Sequence, residues 1–110
     1  MQNAGAAFML DCCTVFWRML RLTGWFAHPT HQLSSVEIIG GGRRAGVVAE
    51  VQLPHAGVER ALGENKGFSV EILFAEAAPD PYSLQIAFTM EEGTRIEVPL
   101  EMALLRSLKR

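Results

Sequence analysis

The chain has only two cysteines, Cys12 and Cys13, and they are adjacent. Neighbouring cysteines cannot build a disulfide framework, and without a C-x-x-C pair there is no zinc-ribbon or thioredoxin-type site. That cysteine usage suits a reducing compartment, and cytoplasmic localisation is expected. Basic clusters are also scarce. The ten Lys and Arg residues are scattered except for Arg43-Arg44 and the tail Arg106, Lys109, Arg110, and the net charge is −2. A nucleic-acid partner is not expected from that distribution. Long apolar runs are missing too. Asp11, Arg18 and Arg21 interrupt residues 6–26, and no Lys or Arg precedes Arg18. This stretch therefore reads as neither a signal peptide nor a membrane span. No G-x-S-x-G surrounds any serine, which removes support for a hydrolase triad.

What the chain does have is apolar material. Hydrophobic residues make up 49% of it and ten glycines come in addition. Average soluble domains reach about 45–50% with glycine included. Five prolines, no repeat and no low-complexity segment indicate one domain over residues 1–110.

Much of the excess falls in residues 8–26. Phe8, Cys12, Val15, Met19, Leu22 and Phe26 recur at steps of four and three, the spacing of one helical face. Asp11, Thr14, Arg18 and Arg21 form the polar stripe of such a helix, while Met9, Cys13, Phe16, Trp17 and Leu20 widen its apolar side. Gly24 and His28-Pro29 would end it. The expectation is an N-terminal helix apolar on two sides.

Beyond it the period changes to two. Val36 and Ile38, then Val47, Ala49, Val51 and Leu53, read as half-buried strands joined as a hairpin through Gly40-Gly41-Gly42-Arg43-Arg44. Pro54, Val58 and Leu62 indicate a short middle helix. Two further strands contain Phe68, Val70, Ile72, Phe74 and Leu84, Ile86, Phe88, Met90, with Ala78-Pro79-Asp80-Pro81 between them. A turn at Glu92-Gly93, a short strand over residues 95–98 and a terminal helix with Leu100 and Leu104 complete the order; Arg106, Lys109 and Arg110 would complement that helix's dipole. The predicted class is α+β: a mostly antiparallel, curved sheet of about five strands packed on the N-terminal helix, with a short middle helix and a C-terminal helix. In shape alone it resembles the cystatin-like and nuclear-transport-factor-like roll.

Several constellations bear on chemistry. Gly40-Gly41-Gly42-Arg43-Arg44-Ala45 fits a relaxed G-x-G-x-x-A pattern, but the residues after it alternate as a strand, whereas a dinucleotide loop must open a helix. What is left is a flexible loop in which Gly41, Gly42, Arg43 and Arg44 could bind a carboxylate or phosphate. His28 and His31 lie close in sequence, yet no third and fourth ligand stands at a recognised spacing, so neither a metal nor another cofactor is expected. Asp11, His28, His31, His55 and Asp80 are the titratable residues near element ends, and none is distinguished as catalytic by sequence. Cys12 reads as a small buried hydrophobe.

Five of the nine aromatics lie in the first 26 residues. Cys13, Phe16, Trp17, Leu20 and Trp25 are accordingly the expected ligand or interface residues, covered by a second copy of the chain or an apolar small molecule. The functional expectation is a small, bacterial-type cytoplasmic binding protein acting as a homodimer, with an apolar cavity or groove beside the N-terminal helix. Two alternatives stand beside it: a small enzyme using a pocket His or Asp as general acid or base, and an antitoxin-like regulatory protein with an exposed apolar patch.

Overall fold

In the computed structural model, which describes residues 5–108, the N-terminal helix is absent and a β-hairpin takes its place. Strand β1 (Ala7–Phe16) pairs antiparallel with β2 (Met19–Ala27), so Trp17 and Arg18 alone form the loop. The inward residues of β2 are Leu20, Leu22, Gly24 and Phe26, a plain period of two. In β1 that period is interrupted. The register shifts between Leu10 and Cys12, making Asp11 an extra residue, and the inward set becomes Phe8, Leu10, Cys13 and Val15. This phase slip, followed by the turn, imitates the threes and fours of a helix.

Local chemistry already opposed the helix. Cys12, Cys13, Thr14, Val15, Phe16 and Trp17 are a run of poor helix formers and good strand formers. Gly24 is no terminator either. A Cβ there would collide with the Met9 carbonyl oxygen and approach the Leu10 Cα to 3.1 Å, because the bulge draws β1 close at that point.

The remaining elements are β3 (Leu33–Ile39), β4 (Arg44–Leu53), α1 (Ala56–Leu62), β5 (Gly67–Phe74), a 3₁₀ turn (Pro81–Ser83), β6 (Gln85–Met90), β7 (Arg95–Pro99) and α2 (Leu100–Leu108). Lys109, Arg110 and the Arg106 side chain, the expected complement to the terminal helix dipole, lie outside the described residues. Instead of one sheet of about five strands there are two, a four-stranded sheet β1-β2-β5-β4 and a three-stranded sheet β3-β6-β7. All pairings are antiparallel. The predicted β3–β4 hairpin does not form, since the two strands belong to different sheets. Three consecutive positive-φ glycines, Gly40, Gly41 and Gly42, turn the chain from one sheet into the other.

The two sheets face each other across an all-apolar core. Its centre is Phe88 of β6, whose ring lies 5.0 Å from Phe8, 4.7 Å from Phe26 and 5.5 Å from Phe68. Leu20, Leu22, Val70 and Ile72 extend the core on the larger sheet, and Val36, Ile38, Ile86 and Met90 on the smaller. Helix α2 packs against β1, β7, β6 and the 3₁₀ turn, and buries Leu100 and Ala103.

Replacing Gly24 by Ala tests the bulge directly. Its Cβ has no room against the β1 backbone, so Gly24→Ala is expected to destabilise the fold by about 2–3 kcal/mol in urea unfolding, as overpacked sites do.

Candidate functional site

Two surface regions bring chemistry-bearing residues together. The first lies on the outer face of the larger sheet, opposite the core. Asp11 projects from the β1 bulge, and His55 is the N-cap residue of α1. The His55 Nε2 atom sits 2.5 Å from Asp11 Oδ2. Around this pair an open cavity of about 300 Å³ is lined by Arg21, Thr23, Glu50 and Ser69 among others. Thr23 is opposite Ser69 in the ladder, and Arg21 is opposite Glu71, with Arg21 Nε 3.4 Å from the Glu71 carboxylate.

The geometry limits what this pair can do. His55 Nε2 is occupied by Asp11, and Nδ1 is buried without a hydrogen-bond partner. The ring packs beside Gly57 in the first turn of α1, where a Cβ would come within 2.9 Å of its Cε1. A general base needs a nitrogen open to substrate, and here neither has that position. The contact ties α1 to the bulge of β1.

The second region is one end of the molecule. Trp17 O accepts from Ala78 N at 2.8 Å, Arg18 O from Phe74 N at 2.8 Å, and Arg43 O from Ala75 N at 3.1 Å. These bonds gather the β1–β2 tip, the β3–β4 loop and the segment after β5. Gly41, Gly42 and Arg43 line an open cavity of about 240 Å³ there, together with Phe74, Ala75, Glu76 and Ala77. Arg44, expected beside them, turns away. Its Nη2 donates to the carbonyl oxygens of Ile38 at 2.7 Å and Gly40 at 2.6 Å, and its guanidinium lies over Phe74. Glu76 brings a carboxylate into the same cavity, which opposes an anion.

The expected interface residues do not form one surface. Leu20 is in the core and Cys13 is half-buried on the inward face. Trp25 stands half-buried opposite Met9 and Gly67, at the other end of the sheet. Phe16 and Trp17 are the exposed pair, each at 72%. Trp17 holds a left-handed φ of 55°, unusual for a bulky residue, and Arg18 stacks its guanidinium 5.0 Å from the Trp17 ring.

From that tip a row of outward residues crosses the larger sheet: Phe16 opposite Met19, Met19 opposite Leu73, and Leu73 opposite Gly46, with Val48 beside them. The sequence reading overlooked Leu73 and Val48, and it placed Val47 and Ala49 in the core, whereas both are exposed. The missed signal is the pair Val47-Val48, apolar on both faces of a strand and therefore not half-buried alternation.

The other expected candidates serve local structure. His28 Nδ1 accepts from the backbone NH groups of Thr30 and His31, both at 3.2 Å. His31 Nε2 lies 3.7 Å from Glu92 Oε2. Among the described residues no group of three or more His, Cys, Asp or Glu side chains is placed to hold a metal. Asp80 caps the 3₁₀ turn by accepting from Tyr82 N at 2.9 Å. Cys12 is exposed, contrary to its expected burial.

Two titrations check these environments. The Thr94 hydroxyl donates to the Glu92 carboxylate at 2.5 Å and, with smaller help from nearby His31, holds its pKa below the ordinary value. A depressed carboxylate pKa adds stability above the unfolded pKa, and that stability is lost as pH falls through the folded one. Thr94→Val should raise the Glu92 midpoint in a carboxylate NMR titration. At Cys13, burial first and the adjacent Cys12 second push the thiol pKa up. Iodoacetamide at mildly alkaline pH should modify Cys13 more slowly than Cys12, as read by peptide mass mapping.

No protein-family model matches the chain, and no curated protein or solved structure is significantly similar to it, so what these surfaces do rests on their own geometry.

Proposed function

We propose that the protein is a non-catalytic interaction module of the cytoplasm that works as a homodimer. The observation that carries this reading is the apolar row across the outer face of the larger sheet. It begins at Phe16 and Trp17, passes through Met19 and Leu73, and reaches Val48 on the edge strand. Scattered exposed hydrophobes are ordinary, but apolar side chains on one outer face of four neighbouring strands suit a contact surface. Its aromatic end is fixed by backbone hydrogen bonds from Phe74 and Ala78, so little conformational entropy is lost when it is covered.

Contact is favoured over catalysis by the Asp11–His55 pair. It is the one His–carboxylate pair within hydrogen-bonding distance among the described residues, and of its ring nitrogens Nε2 is engaged by Asp11 and Nδ1 is buried. The unpaired Cys12 and Cys13 suit a reducing compartment. Among the described residues no helix is long and apolar enough to cross a membrane.

Sedimentation equilibrium over micromolar to submillimolar concentrations tests the reading. A reversible dimer of twice the chain mass is expected. A chain that stays monomeric at the highest concentration overturns it.

A further inference from the structure

Strand β4 is an edge strand of the larger sheet, paired to β5 on one side only. Residues 45–50 are exposed without interruption, and Val47 and Val48 are 52% and 60% accessible although they point to opposite faces. An edge of this kind presents unpaired backbone NH and C=O groups between apolar side chains, and natural proteins usually blunt it with lysine, proline or a covering element. Residues 45–50 carry neither lysine nor proline, and β3, the strand of the other sheet that lies nearest, leaves them exposed.

The strand is nevertheless held in place. At one end Arg44 donates to the Ile38 and Gly40 carbonyls of β3 and the loop after it. At the other, Gln52 takes a left-handed φ of 56° and its Nε2 donates to Leu33 O at 3.0 Å. Side chains thus secure both ends of β4 to β3 of the neighbouring sheet, while residues 45–50 between them stay exposed.

We infer that residues 45–50 of β4 form a strand-addition edge whose partner is the same edge of a second copy, paired antiparallel about Val47. This specifies the interface of the self-association proposed above and rests on it. The strand is complementary to itself in that arrangement. Val47 meets Val47, and Gly46 meets Val48. The register irregularity between Arg44 and Gly46 takes up one residue, which brings Arg43 opposite Glu50 of the second copy. Both are exposed, and Glu50 projects on the outer face through its pairing with Ser69. The two-fold axis repeats this pair, so two pairs of opposite charges flank an apolar centre. A foreign strand would have to supply an acid and a base in the same order; the chain already carries them. Pairing there also brings the apolar rows of the two copies together at the axis.

Sedimentation velocity on the full chain and four variants tests this. Val47→Lys/Val48→Lys should leave a folded monomer. Arg43→Glu and Glu50→Arg should each weaken dimerisation by about tenfold, because like charges then face each other twice. The double reversal Arg43→Glu/Glu50→Arg should restore the wild-type constant. All these side chains are exposed, so circular dichroism melts should stay close to wild type. A wild-type dimer that survives Val47→Lys/Val48→Lys and both single reversals unchanged overturns the β4 edge but leaves the homodimer standing. A wild-type monomer overturns both.

Discussion

The ring of Phe88 carries the joint between the two sheets. It comes from β6 and touches Phe8, Phe26 and Phe68, one from each of β1, β2 and β5. No described strand is shared between the sheets, so backbone ladders do not hold them together. Cohesion comes from apolar burial, at about 1.5–3 kcal/mol for each large side chain, and from geometry that lets four rings meet in stacked, tilted and edge-on contacts. The polar links between the sheets sit at the margin, where Arg44 and Gln52 reach β3 carbonyls. Such a joint fixes the centre of each sheet firmly and leaves the outermost strand of the wider sheet dependent on its two ends.

The β1 bulge is the second constraint, and it links fold to surface. Inserting Asp11 turns the second half of β1 by one position, which puts Cys13 and Val15 on the inward face and projects Asp11 toward α1. The same insertion draws the Met9 carbonyl toward β2 and leaves space there only for Gly24. His55 then closes the arrangement from the start of α1. One extra residue therefore explains a glycine in mid-strand, a polar contact on the outer face and the docking of a short helix with no buried residue of its own. The Asp11–His55 contact is partly exposed on both sides, so its stabilising effect is of the order of surface pairs, about 1 kcal/mol or less.

The same bulge made the N-terminal third hard to read. Wherever a strand keeps its period, as in Phe68, Val70, Ile72, Phe74 or in Ile86, Phe88, Met90, alternation in the sequence and burial in the structure agree. In residues 8–26 a slipped period and an unmarked two-residue turn imitate a helix face. The turn carries Trp and Arg where glycine, asparagine or aspartate would announce it. Sheet membership was illegible for another reason. Alternation says that β3 and β4 each have an apolar side, but the three left-handed glycines between them serve a change of sheet as well as a hairpin. Of the site residues, Phe16 and Trp17 were legible as aromatics without an obvious place in the core. Val48, Leu73 and Glu50 become meaningful only once the registers across β1, β2, β5 and β4 are known.

How the four strand edges are treated separates β4 from the rest. The β1 edge is broken by the Asp11 bulge and approached by α2. Strand β7 is five residues long, ends in Pro99 and runs directly into α2. Strand β3 presents its edge toward β4 and receives side-chain donors on its carbonyls. Only β4 has a full-length edge whose irregularities fall at its ends, between Arg44 and Gly46 and between Glu50 and Leu53. Bulges twist an edge away from would-be partners where they occur, and here they frame the central segment instead of disrupting it. The edges of β3 and β4 thus lie near each other, and what distinguishes β4 is that its central residues stay exposed. The apolar centre of β4, bounded by Arg43 and Glu50, therefore suits the edge pairing proposed above.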